Sequence, residues 1–386
     1  MASTLEKPVP ADTAPLSPDA VDAPETPADD LTVGATGTPA GGRVGPTERP
    51  EPPLPEPRGE ITAFLLDHLR DEPHDLPALP PVGDDPLFGE DEQLALYLAY
   101  ELHYRGFEGV AEDWEWEPSL LAWRRRQERA FEEALRETVG PVEVSDEGIV
   151  AQLDELATPG DGPSLSQWLV DHGEAHHVRE FCAHRTAWQL KEADPHTWVI
   201  PRLYGAAKAA LVHIQADEYG EGVEEDVHAE LFALTLRELG MDDSYGAYLD
   251  LLPGPTLAGT NVVSLFGLHR RLRGAAIGHL AIFEMFSVLP MGRVSDVLGR
   301  LGASTWARLF FDTHVVADAD HQTIAARDLA GGLVAQDPRL AVDVLFGAHA
   351  IGAVEAEMTR RTIAAWEAGE TSLRRALSEP AQDRGA

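Results

Sequence analysis

From Glu60 onward, apolar side chains recur three and four positions apart in one stretch after another, and this periodicity limits the fold more than any other feature of the chain. ITAFLLDHLR, EQLALYLAYELHYRG and SLLAWRRRQERAFEEALRETVG come first, and residues 147–158 and 163–191 continue the pattern. TWVIPRLYGAAKAALVHIQADEYG, VEEDVHAELFALTLRELG, RLRGAAIGHLAIFEMFSVL, STWARLFFDTHVVADADHQTIAARDLAGG and LAVDVLFGAHAIGAVEAEMTRRTIAAWEAG follow. Several close on Gly, which takes the left-handed conformation at a helix end without steric penalty. No alternating strand pattern with a hairpin turn appears after residue 60, and no fixed-period repeat. The spacing predicts an all-α protein, with Trp114–Glu115–Trp116 as an anchored loop and Asp194–Pro195 as an N-cap followed by the first helical residue.

Residues 1–58 read differently. They are rich in Pro, Ala, Thr, Gly and acids, with no aromatic before Phe64. Such a segment cannot bury enough apolar surface to offset its ordering entropy, so a disordered tail is expected there, with EPPLPEP as an extended spacer. Residues 376–386 are expected to be a disordered C-terminus.

The charge excludes some partners. Sixty-six acidic against 30 basic residues leave a formal net charge of -36, which opposes binding to nucleic acid phosphates or anionic lipid. The single cysteine, Cys182, rules out an internal disulfide framework and suits a reducing compartment. No uninterrupted apolar run of the length of a membrane span is read, nor a signal pattern, so a cytoplasmic protein is expected. Glycine-rich phosphate loops, a nucleophile elbow and paired-cysteine zinc signatures are not found.

Against this background, carboxylates and imidazoles recur within apolar helices. On an ideal helix His314, Asp318 and His321 fall within roughly 60° of one another, amid Leu309, Phe310, Val315, Val316 and Ile324. Ionisable groups on an inward face need compensation, and a bound cation is the simplest form of it. Glu225 and His228 form an i, i+3 pair with Glu218 about two turns earlier, although Gly220 and Gly222 interrupt that helix. A Glu-x-x-His pair joined by carboxylates from other helices is how bundle di-iron proteins hold their metals. Glu284 stands alone among Ile282, Phe283, Met285 and Phe286 and needs a partner from elsewhere.

Each residue also has a plainer reading. Glu225 or His228 alone suits a solvated or capping position near a helix start. Glu284 alone suits a buried acid paired with an arginine such as Arg273, and the His314 triplet alone a structural polar network. Taken jointly they point to metal. Carboxylate and imidazole without thiolate suit iron or manganese, while zinc or nickel would tolerate the same donors. So many candidate ligands exceed what one ion can use, which favours two. The dense run Asp171, His172, Glu174, His176, His177, Glu180 and His184 spreads around its helix and reads as a solvated face.

KEADPHTWVIPRL around Glu192, IQADEYGEGVEEDVHAELF around Glu218–His228, and HVVADADH, with its His-x-x-x-Asp-x-x-His arrangement, carry a resemblance to the heme-oxygenase-like di-iron oxidases, also called iron-containing redox enzymes. The resemblance covers roughly residues 60–375. It implies a heme-oxygenase-like helical bundle without heme at 161–375, with peripheral N-terminal helices at 59–160. The implied metal ligands are Glu225 and His228 as the core-helix pair, Glu218 as the additional carboxylate of N-oxygenase members, Glu284 as the middle-helix carboxylate, His314, Asp318 and His321, and Glu192 as an upstream acid. The implied cofactors are two Fe(2+), Glu284 bridging them, with O2 as co-substrate.

The function expected on that footing is O2-dependent oxidation of a small organic substrate, with Glu218 favouring N-oxygenation of an amino-acid-like amine. The alternatives are a di-iron oxidase that cleaves C–C bonds, decarboxylates or desaturates, and a non-catalytic iron-binding protein. The expected partners are the small-molecule substrate, an external electron donor and a second copy of the chain.

Overall fold

The computed structural model describes residues 50–77, 80–160 and 162–378, and no strand occurs among the described residues. The expected tail up to residue 49 and the end beyond 378 lie outside them. The helices in chain order are α1 (Glu60–Leu69), α2 (Glu90–Glu101), α3 (Pro118–Val139), α4 (Ile149–Ala157), α5 (Leu165–His172), α6 (Ala175–Gln189), the single turn α7 (Asp194–Thr197) and α8 (Gly205–Glu218). They continue with α9 (His228–Glu238), α10 (Gly254–Leu268), α11 (Arg273–Arg300), α12 (Thr305–Thr323), α13 (Gly332–Gln336) and α14 (Ala341–Glu367).

The bundle is built on α11, which packs along both α12 and α14. Gly278 and Gly347 set that approach. A Cβ on Gly278 would lie 1.8 Å from the Val344 carbonyl oxygen, and one on Gly347 would lie 2.0 Å from that of Ala275. The two helices therefore meet backbone to backbone, which only residues without a side chain permit. Helix α11 also runs past the end expected at Leu289, through Pro290 to Arg300. Proline costs a backbone hydrogen bond, but burial of Val294, Val297 and Leu298 against the bundle outweighs it. The segment Arg270–Arg300 is long and apolar enough, by length and composition alone, to cross a membrane. Here it is the central packed helix and carries the buried carboxylate of Glu284.

The helices expected at the periphery share the main core. Leu96 and Tyr100 of α2, Phe131 and Leu135 of α3, and Leu153 of α4 join one apolar cluster with Ile277 and Leu280 of α11 and Val344 and Leu345 of α14. Gln93 through Glu101 are all buried, so α2 is an interior helix against α10. No division falls at residue 160, and the described residues all lie within one compact unit.

Local expectations fare unevenly. Residues 50–58, assigned to the tail, are pinned: the Glu108 amide donates to the Pro52 carbonyl at 2.9 Å, the Glu56 amide to Asp250 Oδ1 at 2.8 Å, and Arg58 pairs with Glu90 at 2.8 Å. The stretch is ordered by polar contacts that its composition does not display. Residues Glu112–Trp116 form a 3₁₀ turn anchored by Trp114, whose Nε1 donates to the Asp71 carbonyl. Asp194 is the first helical residue of α7 rather than its cap, because its carboxylate accepts from the Tyr219 hydroxyl at 2.9 Å.

The 171–184 run is not uniformly solvated. Glu180 is buried and accepts from Trp366 Nε1, Thr371 Oγ1 and the Ser372 amide, while His184 bonds Thr256 and Ser372. These partners lie in α10, near the end of α14 and beyond it, out of reach of any local spacing argument.

Candidate metal centre

Four helices and one turn bring seven of the eight expected residues together. Glu192 lies in the turn after α6, Glu218 is the last residue of α8, and His228 is the first of α9. Glu284 comes from the middle of α11, and His314, Asp318 and His321 from one face of α12. Their ligand atoms form two groups, each with all members within 4.8 Å of one another. Glu192, Glu218, His228 and His314 make the first; Glu218, Glu284, Asp318 and His321 make the second. Glu218 belongs to both, the position expected of Glu284.

Glu225 does not join them. The i, i+3 reading requires Glu225 and His228 on one helix, but Gly220 ends α8 in the left-handed region at φ 61°. Two 3₁₀ turns, Gly220–Gly222 and Glu224–Asp226, follow before α9 begins at His228, and Glu225 is exposed on the second. A Cβ on Gly220 would lie 2.6 Å from the Val227 amide nitrogen, so this tight reversal depends on glycine. The reversal itself brings Glu218 Oε2 to 2.9 Å from His228 Nδ1. Nor does Arg273 serve Glu284; it faces Asp337 at 3.5 Å.

Two residues that spacing missed orient the donors. Asp217 Oδ2 lies 2.6 Å from His321 Nε2, so a proton held there leaves Nδ1 free on the side of Glu284, 3.2 Å away. Asp217 and His321 are 104 positions apart, and the sequence signal was limited to an acid beside Glu218. Ser287 Oγ donates to Asp318 Oδ2 from the turn after Glu284. His314 obeys the same logic within its own helix: its Nδ1 donates to the Phe310 carbonyl at 2.8 Å, which presents Nε2 toward Glu192. Such outer contacts fix the imidazole tautomer that a metal requires.

The imidazole donors are buried, with His228 and His314 at 3% exposure and His321 at 1%, and Glu192 is the half-buried edge of the cluster. Burial pushes the Glu284 carboxyl up to about 8, with the charges of Asp318 and Glu218 adding to it, and burial pushes Glu218 up to about 7. Burial holds His228 down to about 4. At His314 burial acts downward but the carboxylate of Glu192 outweighs it, and the group rises to about 10. His321 rises to about 11 because its N–H groups donate to the carboxylates of Asp318 and Glu284, which outweighs its burial. The cluster therefore attracts positive charge strongly.

A cation meets that demand. In the first group Glu192 Oε2, Glu218 Oε2, His228 Nδ1 and His314 Nε2 are all buried with no hydrogen-bond partner, a cost of about 1–3 kcal/mol each unless something else binds them. Four carboxylates and three imidazoles converge, and two divalent ions would balance the carboxylate charge. Oxygen and imidazole nitrogen without thiolate are donors that suit iron. The residues present thus fit an iron centre, which Glu192, Glu218, His228, Glu284, His314, Asp318 and His321 would hold.

Known proteins agree with this chemistry. The chain is similar to a nitrosourea synthase of Streptomyces achromogenes subsp. streptozoticus, with 26% identity over 145 residues, which is 38% of this chain and 31% of that protein. It thus spans about a third of the length of that curated relative. Residues 179–356, a segment that contains all seven converging donors, match the family model described as iron-containing redox enzyme.

Proposed function

We propose that the chain is a non-heme di-iron oxygenase that uses O2, and that its reaction is N-oxygenation of an amino-acid-like amine. The observation that carries the metal count is the sharing of Glu218 between two four-donor groups. In this reading Glu192, His228 and His314 would hold one ion and Glu284, Asp318 and His321 the other, with Glu218 available to both. Bound ferrous ions supply electrons and open positions for O2 reduction. One oxygen atom goes to the substrate nitrogen and the other leaves as water, so each turnover takes two electrons and two protons from an external donor.

The protein's own groups keep that chemistry in place. Asp217 and the Phe310 carbonyl hold the rings of His321 and His314, and Ser287 holds Asp318. The Phe310 ring, 4.3 Å from that of His314 and 5.0 Å from that of Phe232, closes one side against water. A nitrosourea contains an oxidised nitrogen bonded to nitrogen, so the similarity to a nitrosourea synthase supports oxidation at nitrogen over carbon.

The test is anaerobic reconstitution with Fe(II), iron analysis, and O2 uptake with amino acids, guanidines and fatty acids, the products being read by mass spectrometry. About two irons per chain, substrate-dependent uptake and one oxygen atom added at nitrogen are expected. His314→Ala and Glu284→Ala should each lower bound iron and abolish uptake with helicity retained. Loss of carbon or hydrogen from the product would instead assign C–C cleavage or desaturation. Fe(II) oxidation without an organic product would assign iron binding alone.

A further inference from the structure

Of the seven converging donors, Glu192 is the one that no helix carries. Glu218 ends α8, His228 opens α9, and Glu284, His314, Asp318 and His321 lie inside α11 and α12, whereas Glu192 falls in the turn that links α6 to α7. Its Oε2 has no hydrogen-bond partner and lies 3.4 Å from His314 Nε2. Helix geometry therefore does not set the place of this carboxylate, although a metal ligand has to be held within about 0.5 Å of its working position.

The residue before it is a buried lysine. Lys191 is 2% exposed, and its ammonium meets Oε2 of the fully buried Glu101, the last residue of α2, at 2.6 Å. The rings of Tyr97 and Tyr104 lie 4.8 and 4.3 Å from the same nitrogen, so the charge is faced by a carboxylate and two aromatic rings. On its other oxygen Glu101 accepts from the Tyr245 hydroxyl at 2.7 Å. Lysine is almost never buried without such a partner, and neither member of a dry pair can leave without stranding the charge of the other. The pair is thus a fixed strut between α2 and the turn. A second contact runs beside it: Arg105, just past α2, donates from Nη2 to the Leu190 carbonyl at 3.2 Å and lies over the Tyr245 ring. The end of α2 grips the turn at Leu190 and at Lys191, immediately before Glu192. Two residues after Glu192, Asp194 accepts from the hydroxyl of Tyr219, the neighbour of Glu218.

We infer that Lys191, anchored on Glu101, is a positioning residue for the metal centre: the pair holds the turn so that Glu192 reaches the ion it shares with Glu218, His228 and His314. An apolar pair of the same size would join α2 to the turn as firmly or more so; what a buried ion pair adds is a fixed length and direction. Glu101 and Arg105 precede residues 179–356, so a site whose donors all lie in the family segment is braced from outside it. This role rests on the metal-centre reading and not on which reaction the centre performs.

The test is titration of the metal-free full chain with Mn(II), which these donors also suit and whose free ion is counted by its EPR signal. Wild type should take up two ions, and Glu192→Gln marks the binding step that Glu192 serves. The double substitution Glu101→Gln with Lys191→Met removes both charges at nearly constant shape, so neither is stranded and the fold is kept, as circular dichroism and the urea midpoint will show. It should weaken the step marked by Glu192→Gln about 10- to 100-fold and leave the other within about twofold. Arg105→Gln removes the parallel contact from an exposed position and should weaken the same step by a smaller factor; it carries the test should the double variant lose its helicity. Wild-type affinity at both steps overturns the inference, and so does equal weakening of both, which is what a general loosening of the bundle would produce. Absence of Mn(II) uptake by the wild type would instead overturn the metal centre, and this role with it.

Discussion

Glu218 and Glu225 are both acids close to His228 in sequence, yet their positions predict opposite behaviour. Glu218 is buried, lies 2.9 Å from His228 and belongs to both donor groups, whereas Glu225 is exposed on a turn. Glu218→Ala should reduce bound iron from about two per chain to below one, and Glu225→Ala should leave it unchanged, both read by elemental analysis after anaerobic loading. A loss of iron in Glu225→Ala would show that the turn refolds around the metal. Asp217 provides a finer test because its carboxylate only orients His321. Asp217→Ala should weaken Fe(II) binding about 10- to 100-fold, the range typical of lost outer contacts, with the iron stoichiometry recovered at higher metal concentration.

At the scale of elements, α11 holds Glu284 in place through its contact with α14. Gly278→Ala inserts a methyl where the Val344 carbonyl oxygen already lies 1.8 Å from the Cβ position, and a backbone cannot swing aside as a flexible side chain can. The substitution should cost at least about 2 kcal/mol, seen as a lower urea midpoint at unchanged slope. A neutral result would mean that the helices separate at little cost. Helix α12 continues directly into a π-helical stretch, Ile324–Gly331, three residues after His321. Wide turns of this kind often accompany functional sites, because they allow a helix face to be re-aimed without ending the helix.

For the whole molecule, the buried neutral histidines weaken the fold in acid, against the buried carboxyls of Glu218 and Glu284, whose raised values strengthen the metal-free fold as pH falls. Burial takes His184 down to about 4 and His196 to about 3, from an ordinary value of 6.5. At these histidines the unfolded chain therefore takes up protons below pH 6.5 that the folded chain refuses until about pH 4 or lower, and their contribution to stability falls across that window. His184 alone should cost about 3 kcal/mol by pH 4, because every pH step of one between its unfolded and folded values removes about 1.4 kcal/mol. Urea unfolding of the metal-free protein and of His184→Gln at pH 7, 5.5 and 4.5 isolates this as the difference between the two, the variant losing less stability toward pH 4.5 than the wild type. Fe(II) changes the balance at higher pH. Protons compete with metal for the carboxylates of Glu218 and Glu284, so anaerobic Fe(II) should raise the melting temperature more at pH 8 than at pH 6.

The helices and the face of α12 were legible in the sequence because both depend on local periodicity. A 3.6-residue repeat puts apolar residues on one side whatever the rest of the chain does, and it aligns His314, Asp318 and His321 without outside help. Glu284 was legible as an anomaly, a charge among aromatics. What lay beyond local spacing was decided by contacts between distant segments. The reversal at Gly220 kept Glu225 out of the cluster while Glu218 stayed in it, Asp217 met His321 across 104 positions, and α2 and α3 became core helices instead of a periphery. Composition also misread residues 50–58, whose order comes from hydrogen bonds to Glu108 and Asp250. The chain alone thus determined which side chains could bind a cation and which helices would carry them. Only the tertiary structure decided which of them meet, because a turn of a few residues or a glycine at a helix crossing redirects a donor by more than the length of its side chain.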